Sequence, residues 1–282
     1  GSNPGSPPGG GDPAPARQVA LGMAMTNSRD LATFDQFAAS VGGAKPAMWT
    51  IWSQWGMEST MAFPTVVMNG IRSRGSVPFV FWEPWDMREP NDPQFKFSNI
   101  SAGQHDDYVR AWARDAKAFG SLVILRFAHE MNGNHFPWGA GGSLGNTASE
   151  FKAAWQHIHA IFRSEGANNV KFAWTVATKS CLGCNPYTEW YPGDQYVDFM
   201  GFSAFNWGTE DGKTWRSMYE CYKRPTARLS EVSGKPIIVA ESASNDVGGG
   251  KAAWIADGYR EVYAKLPRIV AINYLNVDLR HV

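Results

Sequence analysis

The sequence lacks several features that would assign it to a broad class of protein. Only three of its 282 residues are cysteines, and no apolar run approaches the roughly 18 residues that a membrane span requires. Lysine plus arginine and aspartate plus glutamate both number 26, so no net charge attracts nucleic acid or an anionic membrane. A signal peptide is also missing, but the chain opens on Gly-Ser and a linker-like stretch, so this absence carries no weight. We therefore expect neither a nucleic-acid-binding protein nor a membrane-spanning one.

The N-terminal segment differs in composition from the rest of the chain. Residues 1–17 are rich in glycine, proline and serine and contain no apolar side chain large enough to pack. Such a composition favours a disordered linker, which could tether the following domain to another module. Residues 18–282 are long enough to bury the core of one large domain, which we expect to be monomeric.

Cysteine and histidine spacing does not indicate a metal site. Cys181 and Cys184 form one C-x-x-C pair in a loop, and a zinc site would need two further ligands. The pair could be a disulfide that staples the loop, two free buried thiols, or a metal or redox site, with Cys221 left over. A disulfide would suit an extracellular protein, which is the location that we expect. His157 and His159 lie two residues apart on a predicted helix and point to different sides, so we predict no metal and no cofactor.

Short apolar runs alternate with amphipathic stretches along the whole domain. Eight strands are predicted, at residues 19–25, 47–52, 77–82, 122–127, 170–176, 197–202, 237–240 and 269–275. Helices are predicted between most of them, at residues 31–41, 61–72, 106–119, 151–162, 215–232 and 252–266. This alternation predicts a closed (β/α)8 TIM barrel, since no G-x-G-x-x-G turn of an open nucleotide-binding sheet follows the first strand. Because the sequence ends at Val282, soon after the eighth strand, we expect the barrel to lack its last helix here.

Two glutamates stand at the ends of predicted strands that are far apart in the sequence. The fourth strand leads into Arg126-Phe-Ala-His129-Glu130-Met-Asn132-Gly, and the seventh leads into Glu241. Since the carboxyl ends of barrel strands meet at one face, both carboxylates are expected there. A glycosidase needs two such groups, one to protonate the leaving oxygen and one to attack or stabilise the sugar carbon. The alternative is structural: Glu130 would pair with Arg126, and Glu241 would be an acid at a helix start.

Aromatic and amide side chains gather at the same predicted strand ends. A pyranose packs its C–H face on an aromatic ring, while its hydroxyls need paired polar groups. Trp138 and Trp207 lie in polar, glycine-rich loops that favour exposure, whereas Trp112 and Trp155 on helices are better explained as core. Glu83 is the main rival for a catalytic role and could instead bind a substrate hydroxyl. The residues predicted to bind substrate are Arg126, His129, Asn132, Trp82, Glu83, Trp138, Phe205, Asn206 and Trp207.

Three motifs occur together and suggest a family. They are Arg126-Phe-Ala-His129-Glu130-Met-Asn132-Gly with Phe136-Pro-Trp138-Gly139, then Phe205-Asn206-Trp207-Gly208, and Pro236-Ile-Ile-Val-Ala-Glu241. In combination they resemble glycoside hydrolase family 26, a family of retaining endo-β-glycanases built on (β/α)8 barrels, from about residue 20 onward. The resemblance implies Glu130 as general acid/base and Glu241 as nucleophile. It also implies that Trp138 lines the cleavage site and that His129 binds the sugar or orients Glu130. A retaining enzyme holds its two carboxyl groups about 5–5.5 Å apart.

Two positions depart from the pattern of that family. A tyrosine that steadies the nucleophile commonly precedes the Asn of Asn-Trp-Gly, but this chain has Phe205. Mannanases tend to have Trp-Trp-Gly where this chain has Pro137-Trp138-Gly139, which looks more like the glucanase branch. The resemblance thus implies an endo-acting hydrolase of mixed-linkage β-1,3-1,4-glucan or β-1,4-mannan. A β-1,3-xylanase and a catalytically weak carbohydrate-binding barrel are the alternatives.

Overall fold

Eight parallel strands form a closed barrel in the order in which they occur in the sequence, and the eighth pairs with the first. The computed structural model describes residues 17–184 and 186–277. The strands are β1 (Ala20–Met25), β2 (Met48–Gln54), β3 (Val77–Glu83), β4 (Val123–Phe127), β5 (Val170–Ala177), β6 (Phe199–Asn206), β7 (Ile237–Ser244) and β8 (Ile269–Asn276). The predicted TIM barrel is confirmed.

Helices cover the outside of the barrel in most of the connections between strands. They are α1 (Leu31–Ser40), α2 (Glu58–Met61), α3 (Thr65–Ser73), α4 (Phe97–Ser101), α5 (Asp106–Phe119), α6 (Ala148–Ser164), α7 (Met218–Val232) and α8 (Lys251–Lys265). Short 3-10 helices lie at Pro93–Phe95, Tyr187–Trp190, Asp194–Tyr196 and Glu210–Gly212. The short helices α2 and α4 were not predicted, because each spans too few residues to show a period.

The N-terminal linker and the missing last helix are predictions that fall largely outside the described residues. Residues 1–16 and 278–282 are not described. Arg17 donates through Nη2 to the carbonyl oxygens of Leu266 (2.9 Å) and Ile269 (2.7 Å), between α8 and β8. The two predictions therefore stay predictions.

The core has two layers, because alternate residues of each strand face opposite sides of the sheet. On β3, Phe79 and Phe81 belong to the cluster inside the barrel, whereas Val80 and Trp82 pack outward against the helices. Helix α5 shows the matching helical pattern, since the side chains that it buries are three or four residues apart or adjacent: Val109, Trp112, Ala113, Ala116 and Phe119. Gly120 ends this helix with a φ of 72°, a left-handed conformation that glycine adopts without strain.

A polar cross-link stabilises the barrel interior. Asn273 on β8 donates through Nδ2 to Thr50 Oγ1 on β2 (2.9 Å) and to the Ala240 carbonyl on β7 (2.9 Å). All three residues are buried. The amide thereby joins strands on both sides of β8 and satisfies polar groups that water cannot reach.

Candidate active site

One buried cation connects the two glutamates that the sequence singled out. Arg126 lies on β4 and has no exposed surface. Its Nη1 lies 2.8 Å from Glu241 Oε2, and its Nη2 lies 3.9 Å from Glu130 Oε1. The structure therefore brings Glu130 and Glu241 to one end of the barrel, on either side of the same guanidinium.

Two hydroxyls hold Arg126 in place. The guanidinium donates through Nε to Thr175 Oγ1 (2.7 Å) and through Nη2 to Ser203 Oγ (3.0 Å), and it lies 4.2 Å from the centroid of the Phe81 ring. Ser203 in turn donates to Glu241 Oε2 (3.1 Å). The sequence reasoning missed both hydroxyls. Their signal was available, because they are polar residues within otherwise apolar strands.

A bulge in β7 turns Glu241 into the barrel. Phe202 on β6 pairs with Val239, but Ser203 pairs with Glu241, so Ala240 is an extra residue. Ala240 already belongs to the interior cluster, and regular alternation would then direct the next side chain outward. The extra residue lets Glu241 reach Arg126 and Ser203, as bulges beside functional sites often do.

Glu130 sits on an unusual backbone just past β4. Its φ is 53° and that of Ala128 is 41°, both in the left-handed region that non-glycine residues rarely adopt. The Glu130 amide donates to the Thr175 carbonyl on β5 (3.0 Å), which anchors the turn. Burial first, and then the negative charge of Glu241, raise the pKa of Glu130, while Arg126 opposes this. A carboxyl group with a raised pKa and a small exposed area can act as an acid.

Glu83 forms a second buried polar cluster beside the first. Its Oε2 accepts from Gln54 Nε2 (2.6 Å) and Trp85 Nε1 (3.2 Å). Burial raises the pKa of Glu83 to about 7, against the effect of these two hydrogen bonds. His129 Nε2 lies 4.0 Å from Glu83 Oε1, and burial followed by the Arg126 charge lowers the pKa of His129 well below its usual value. An imidazole that burial keeps neutral therefore faces a carboxyl group whose pKa burial raises.

The aromatic ring that reaches the surface next to His129 is Phe136, not Trp138. Trp138 is fully buried and donates through Nε1 to the His129 carbonyl (2.8 Å). Phe136 stacks on it with the ring planes 2° apart and the centroids 4.5 Å apart, and it keeps part of its surface exposed. Phe136 thus covers one face of Trp138, and the prediction that Trp138 lines the cleavage site stays a prediction.

Trp82, which was predicted to bind substrate, lies on the outer side of the barrel wall. It follows Phe81, which faces the barrel interior, so alternation directs Trp82 outward. There it is fully buried, stacks on Tyr108 and donates to that hydroxyl through Nε1 (2.9 Å). Its role is to pack the barrel against α5.

Two amides that were predicted to bind substrate, Asn132 and Asn206, form hydrogen bonds with neighbouring segments of the chain. Asn132 is fully buried, donates to the Ala177 carbonyl (3.0 Å) and accepts from the Ala177 amide (2.8 Å). Asn206, also buried, donates through Nδ2 to Ser244 Oγ (2.9 Å), and its Oδ1 accepts from the Arg216 amide (3.1 Å). Both side chains are occupied by the backbone and side chains of neighbouring loops, and their contact with substrate stays a prediction.

Phe205 and Trp207 form an aromatic rim after β6. Trp207 is 46% exposed, and its ring centroid lies 5.4 Å from that of Phe205. Lys213 Nζ lies 5.0 Å from the Trp207 centroid. An exposed indole at this end of the barrel is a surface on which a sugar ring can stack.

The cysteines follow the first of the three alternatives left open by the sequence. Cys181 and Cys184 are joined by a disulfide, while Cys221 is free and buried. Burial raises the pKa of the Cys221 thiol to about 11, so it is not a nucleophile at neutral pH. Among residues 17–184 and 186–277, no group of three or more His, Cys, Asp or Glu side chains could hold a metal ion. No helix in that part of the chain is both long and apolar enough to cross a membrane.

Comparisons with known proteins identify relatives of this chain. The sequence pattern described as Glycosyl hydrolase family 26 matches residues 102–254, more than half of the chain. Endoglucanase H of Acetivibrio thermocellus is 35% identical over 206 residues, which are 72% of this chain and 22% of that protein. The mannan endo-1,4-beta-mannosidase of Bifidobacterium adolescentis is 25% identical over 186 residues, 64% of this chain and 18% of the relative. The chain thus spans about a fifth of these two relatives.

A solved structure shows the same fold. The catalytic domain of the Bacillus sp. JAMB-750 GH26 endo-beta-1,4-mannanase superposes with a TM-score of 0.67 at 20% sequence identity. The match covers 92% of this chain and 77% of that one. At this identity the likeness supports the barrel alone.

Proposed function

This chain belongs to glycosyl hydrolase family 26, and on that premise we propose that it cleaves a β-linked polysaccharide internally with retention of anomeric configuration. The observation that carries the proposal is the shared guanidinium of Arg126, 2.8 Å from Glu241 and 3.9 Å from Glu130. The two carboxyl groups differ in what holds them, since Glu241 accepts hydrogen bonds from Arg126 and Ser203 whereas Glu130 lies farther from the guanidinium, and this difference suits them to different roles.

In the first step, Glu130 is the general acid and Glu241 the nucleophile. Glu241 Oε2 accepts from Arg126 and Ser203, and in the described part of the chain Oε1 accepts no hydrogen bond. That oxygen can attack the anomeric carbon while the bond to the leaving oxygen breaks. Glu130, whose pKa is raised by burial and by the Glu241 charge, gives its proton to the leaving oxygen.

In the second step, water releases the glycosyl group from Glu241. Glu130, now ionised, takes a proton from the water as its oxygen attacks the anomeric carbon. The bond to Glu241 breaks, and the carboxylate returns to its place beside Arg126. Two inversions restore the original configuration.

The alternative of a barrel that only binds sugars depended on Phe205, which has no hydroxyl to steady the nucleophile. The structure has two other donors at that carboxylate, Arg126 Nη1 and Ser203 Oγ. Both are fixed by strands of the barrel rather than by loops. This arrangement favours the enzyme over the binding protein, because the nucleophile is oriented without a tyrosine.

Mixed-linkage β-glucan is the substrate that we propose. The run Pro137-Trp138-Gly139 looks like the glucanase branch, and Endoglucanase H has higher identity to this chain (35%) than the mannosidase (25%). The exposed rim of Trp207 and the edge of Phe136 would pack against glucose rings. Because a polysaccharide does not cross a membrane, we also propose an extracellular location, with the domain acting as a monomer that residues 1–17 tether to another module.

The test is a hydrolysis panel with product analysis. Lichenan, mannan and β-1,3-xylan are incubated with the protein, and reducing ends and viscosity are followed together. Fastest release from lichenan, with viscosity falling early, is expected of an endo-acting β-glucanase. Proton NMR of the first products should show the β-anomer, and an initial α-anomer would contradict retention. Binding to all three polymers without any release would favour the sugar-binding barrel.

A further inference from the structure

The disulfide lies in a loop that contacts the loop carrying Glu130. We name residues 128–147, between β4 and α6, the acid loop, and residues 178–184, after β5, the stapled loop. Cys181 and Cys184 are bonded within the stapled loop, and the Cys184 amide donates to the Cys181 carbonyl (3.1 Å). This closes a tight turn whose position is fixed relative to β5.

Asn132, two residues past Glu130, fastens the acid loop to this turn. Its Nδ2 donates to the Ala177 carbonyl (3.0 Å) and to Ser180 Oγ (3.3 Å), and its Oδ1 accepts from the Ala177 amide (2.8 Å). The Cys181 amide donates to the Asn132 carbonyl (3.2 Å). The stapled loop thus makes direct hydrogen bonds to the segment that follows the acid.

The far arm of the acid loop packs on the disulfide itself. A Cβ added at Gly141 would lie 3.0 Å from Cys181 Sγ and 2.8 Å from Asn134 Cβ, so only glycine fits there. The Gly141 amide donates to the Gly133 carbonyl (3.0 Å), which joins the two arms of the acid loop. Cys181 therefore lies against both arms of the acid loop, with its amide bonded to Asn132 and its sulfur beside Gly141.

The acid loop needs external support because its backbone is strained. Glu130 and Ala128 both have positive φ values, 53° and 41°. Such conformations persist only where surrounding contacts impose them. The contacts from the stapled loop are part of that restraint, together with the hydrogen bond from the Glu130 amide to the Thr175 carbonyl (3.0 Å).

Global stability is a poor explanation for this disulfide. The two cysteines are only three residues apart. Cross-linking so short a segment removes little conformational freedom from the unfolded chain, and stabilisation by that route grows with loop length. A staple of this length acts on local geometry.

We infer that the Cys181–Cys184 loop is a positioning element for Glu130, which it holds at the distance needed to protonate the leaving oxygen. The inference rests on the proposed function, in which Glu130 is the general acid. Neither cysteine contacts the reacting atoms. The effect passes through Asn132 and Gly141 to the acid loop.

The test exploits the fact that a good leaving group does not need an acid. A double variant, Cys181→Ser with Cys184→Ser, is compared with the unaltered protein on a cello-oligosaccharide with mixed linkages and on dinitrophenyl β-cellobioside. Because kcat/KM reports bond cleavage, a misplaced acid should lower it about tenfold on the oligosaccharide, and less than about twofold on the dinitrophenyl substrate. Leu182→Ala, on the same loop but fully exposed, is the matched control and should match the unaltered protein on both.

A second variant keeps the experiment decisive if the double variant folds poorly. Gly141→Ala retains both cysteines but pushes the two loops apart, at Asn134 Cβ in the acid loop and at Cys181 Sγ in the stapled loop, so it should show the same dependence on the leaving group. Equal losses on the two substrates, or no loss on either, would overturn the inference. If the unaltered protein cleaves neither substrate, nor any polymer of the hydrolysis panel, the proposed function itself fails.

Discussion

Three glutamates at the top of the barrel differ in their partners and therefore in what their replacement should do. Glu130→Gln and Glu241→Gln should each lower kcat on lichenan by at least about 100-fold, since each removes a group that reacts in the proposed mechanism. Glu83→Gln should retain more activity than either, because Glu83 is held by Gln54 and Trp85 and, unlike Glu130 and Glu241, forms no ion pair with Arg126 among the described residues. Initial rates of reducing-end release on the three purified variants provide the measurement.

The reverse ranking would require new assignments. If Glu83→Gln is the inactive variant while Glu241→Gln turns over normally, Glu241 is not the nucleophile. Circular dichroism of each variant controls for unfolding. Added azide needs no base to attack, so it should restore turnover of dinitrophenyl β-cellobioside to both alanine variants, with different products. Glu130→Ala should give the β-glycosyl azide, by attack on the glycosyl-enzyme, and Glu241→Ala should give the α-glycosyl azide, by direct displacement of the leaving group.

Glu83 should also make stability depend on pH. Burial raises its pKa from the ordinary 4.5 to about 7, so the folded state keeps a proton that the unfolded state has released. The contribution is fully present below pH 4.5 and is lost as pH rises to about 7. The expected loss across this window is about 3 kcal/mol in the free energy of unfolding. Urea unfolding at several pH values measures it, and Glu83→Gln should show a flatter profile; an unchanged slope would assign the effect elsewhere.

At the scale of elements, the packing of β6 against its neighbours should control the hydroxyl network. A Cβ at Gly201 would lie 2.4 Å from the Ile238 carbonyl oxygen on β7 and 2.9 Å from Thr175 Cγ2 on β5. Gly201→Ala should therefore displace Thr175, which binds Arg126. We expect a cost of about 1–3 kcal/mol in stability and a fall in kcat, measured by chemical unfolding and by initial rates. Full activity in a stable variant would mean that the strands shift without moving Arg126.

The sequence predicted well where the strands lie, but only in part which of their side chains face the barrel interior. The eight strands follow from apolar runs, and β7 was expected to end at residue 240 although it continues to Ser244. The bulge at Ala240 depends on how β6 and β7 pair, and no local pattern shows it. Trp82 is a different case, because regular alternation from Phe81 already directs it outward.

The same limit applies to the site. Glu130 and Glu241 were expected to lie near each other because strand ends share one face of a barrel, and the structure places both beside Arg126, which was also among the predicted residues. Their catalytic roles stay predictions. Thr175 and Ser203 were missed, since a hydroxyl within a strand usually has no function beyond its own strand. Phe136, rather than Trp138, reaches the surface because the two rings stack on each other, and the spacing of residues in the sequence does not reveal such stacking.

At the scale of the whole molecule, the two ends of the barrel should respond differently to substitution. Asn169, before β5 at the end opposite the glutamates, donates through Nδ2 to the carbonyls of Ala116 (2.8 Å) and Ser121 (2.8 Å). Asn169→Ala should cost about 1–3 kcal/mol in the free energy of unfolding, because two carbonyls lose their donor. The kcat of this variant should stay unchanged, because residues at this end of the barrel contribute to stability and lie far from the end that carries the glutamates. A loss of kcat without a loss of stability would show coupling through the barrel.

The placement of Arg126 between two carboxylates has a consequence for the order of events in one turnover. In the proposed mechanism Glu241 becomes an ester and loses its negative charge, and with it the repulsion that, after burial, raises the pKa of Glu130. Of the two carboxylates beside Arg126, Glu130 is then the one that can still carry a charge. The guanidinium favours that charge, so the pKa of Glu130 should fall. The same side chain that delivered a proton is thereby prepared to accept one from water, and the fixed cation makes the exchange automatic.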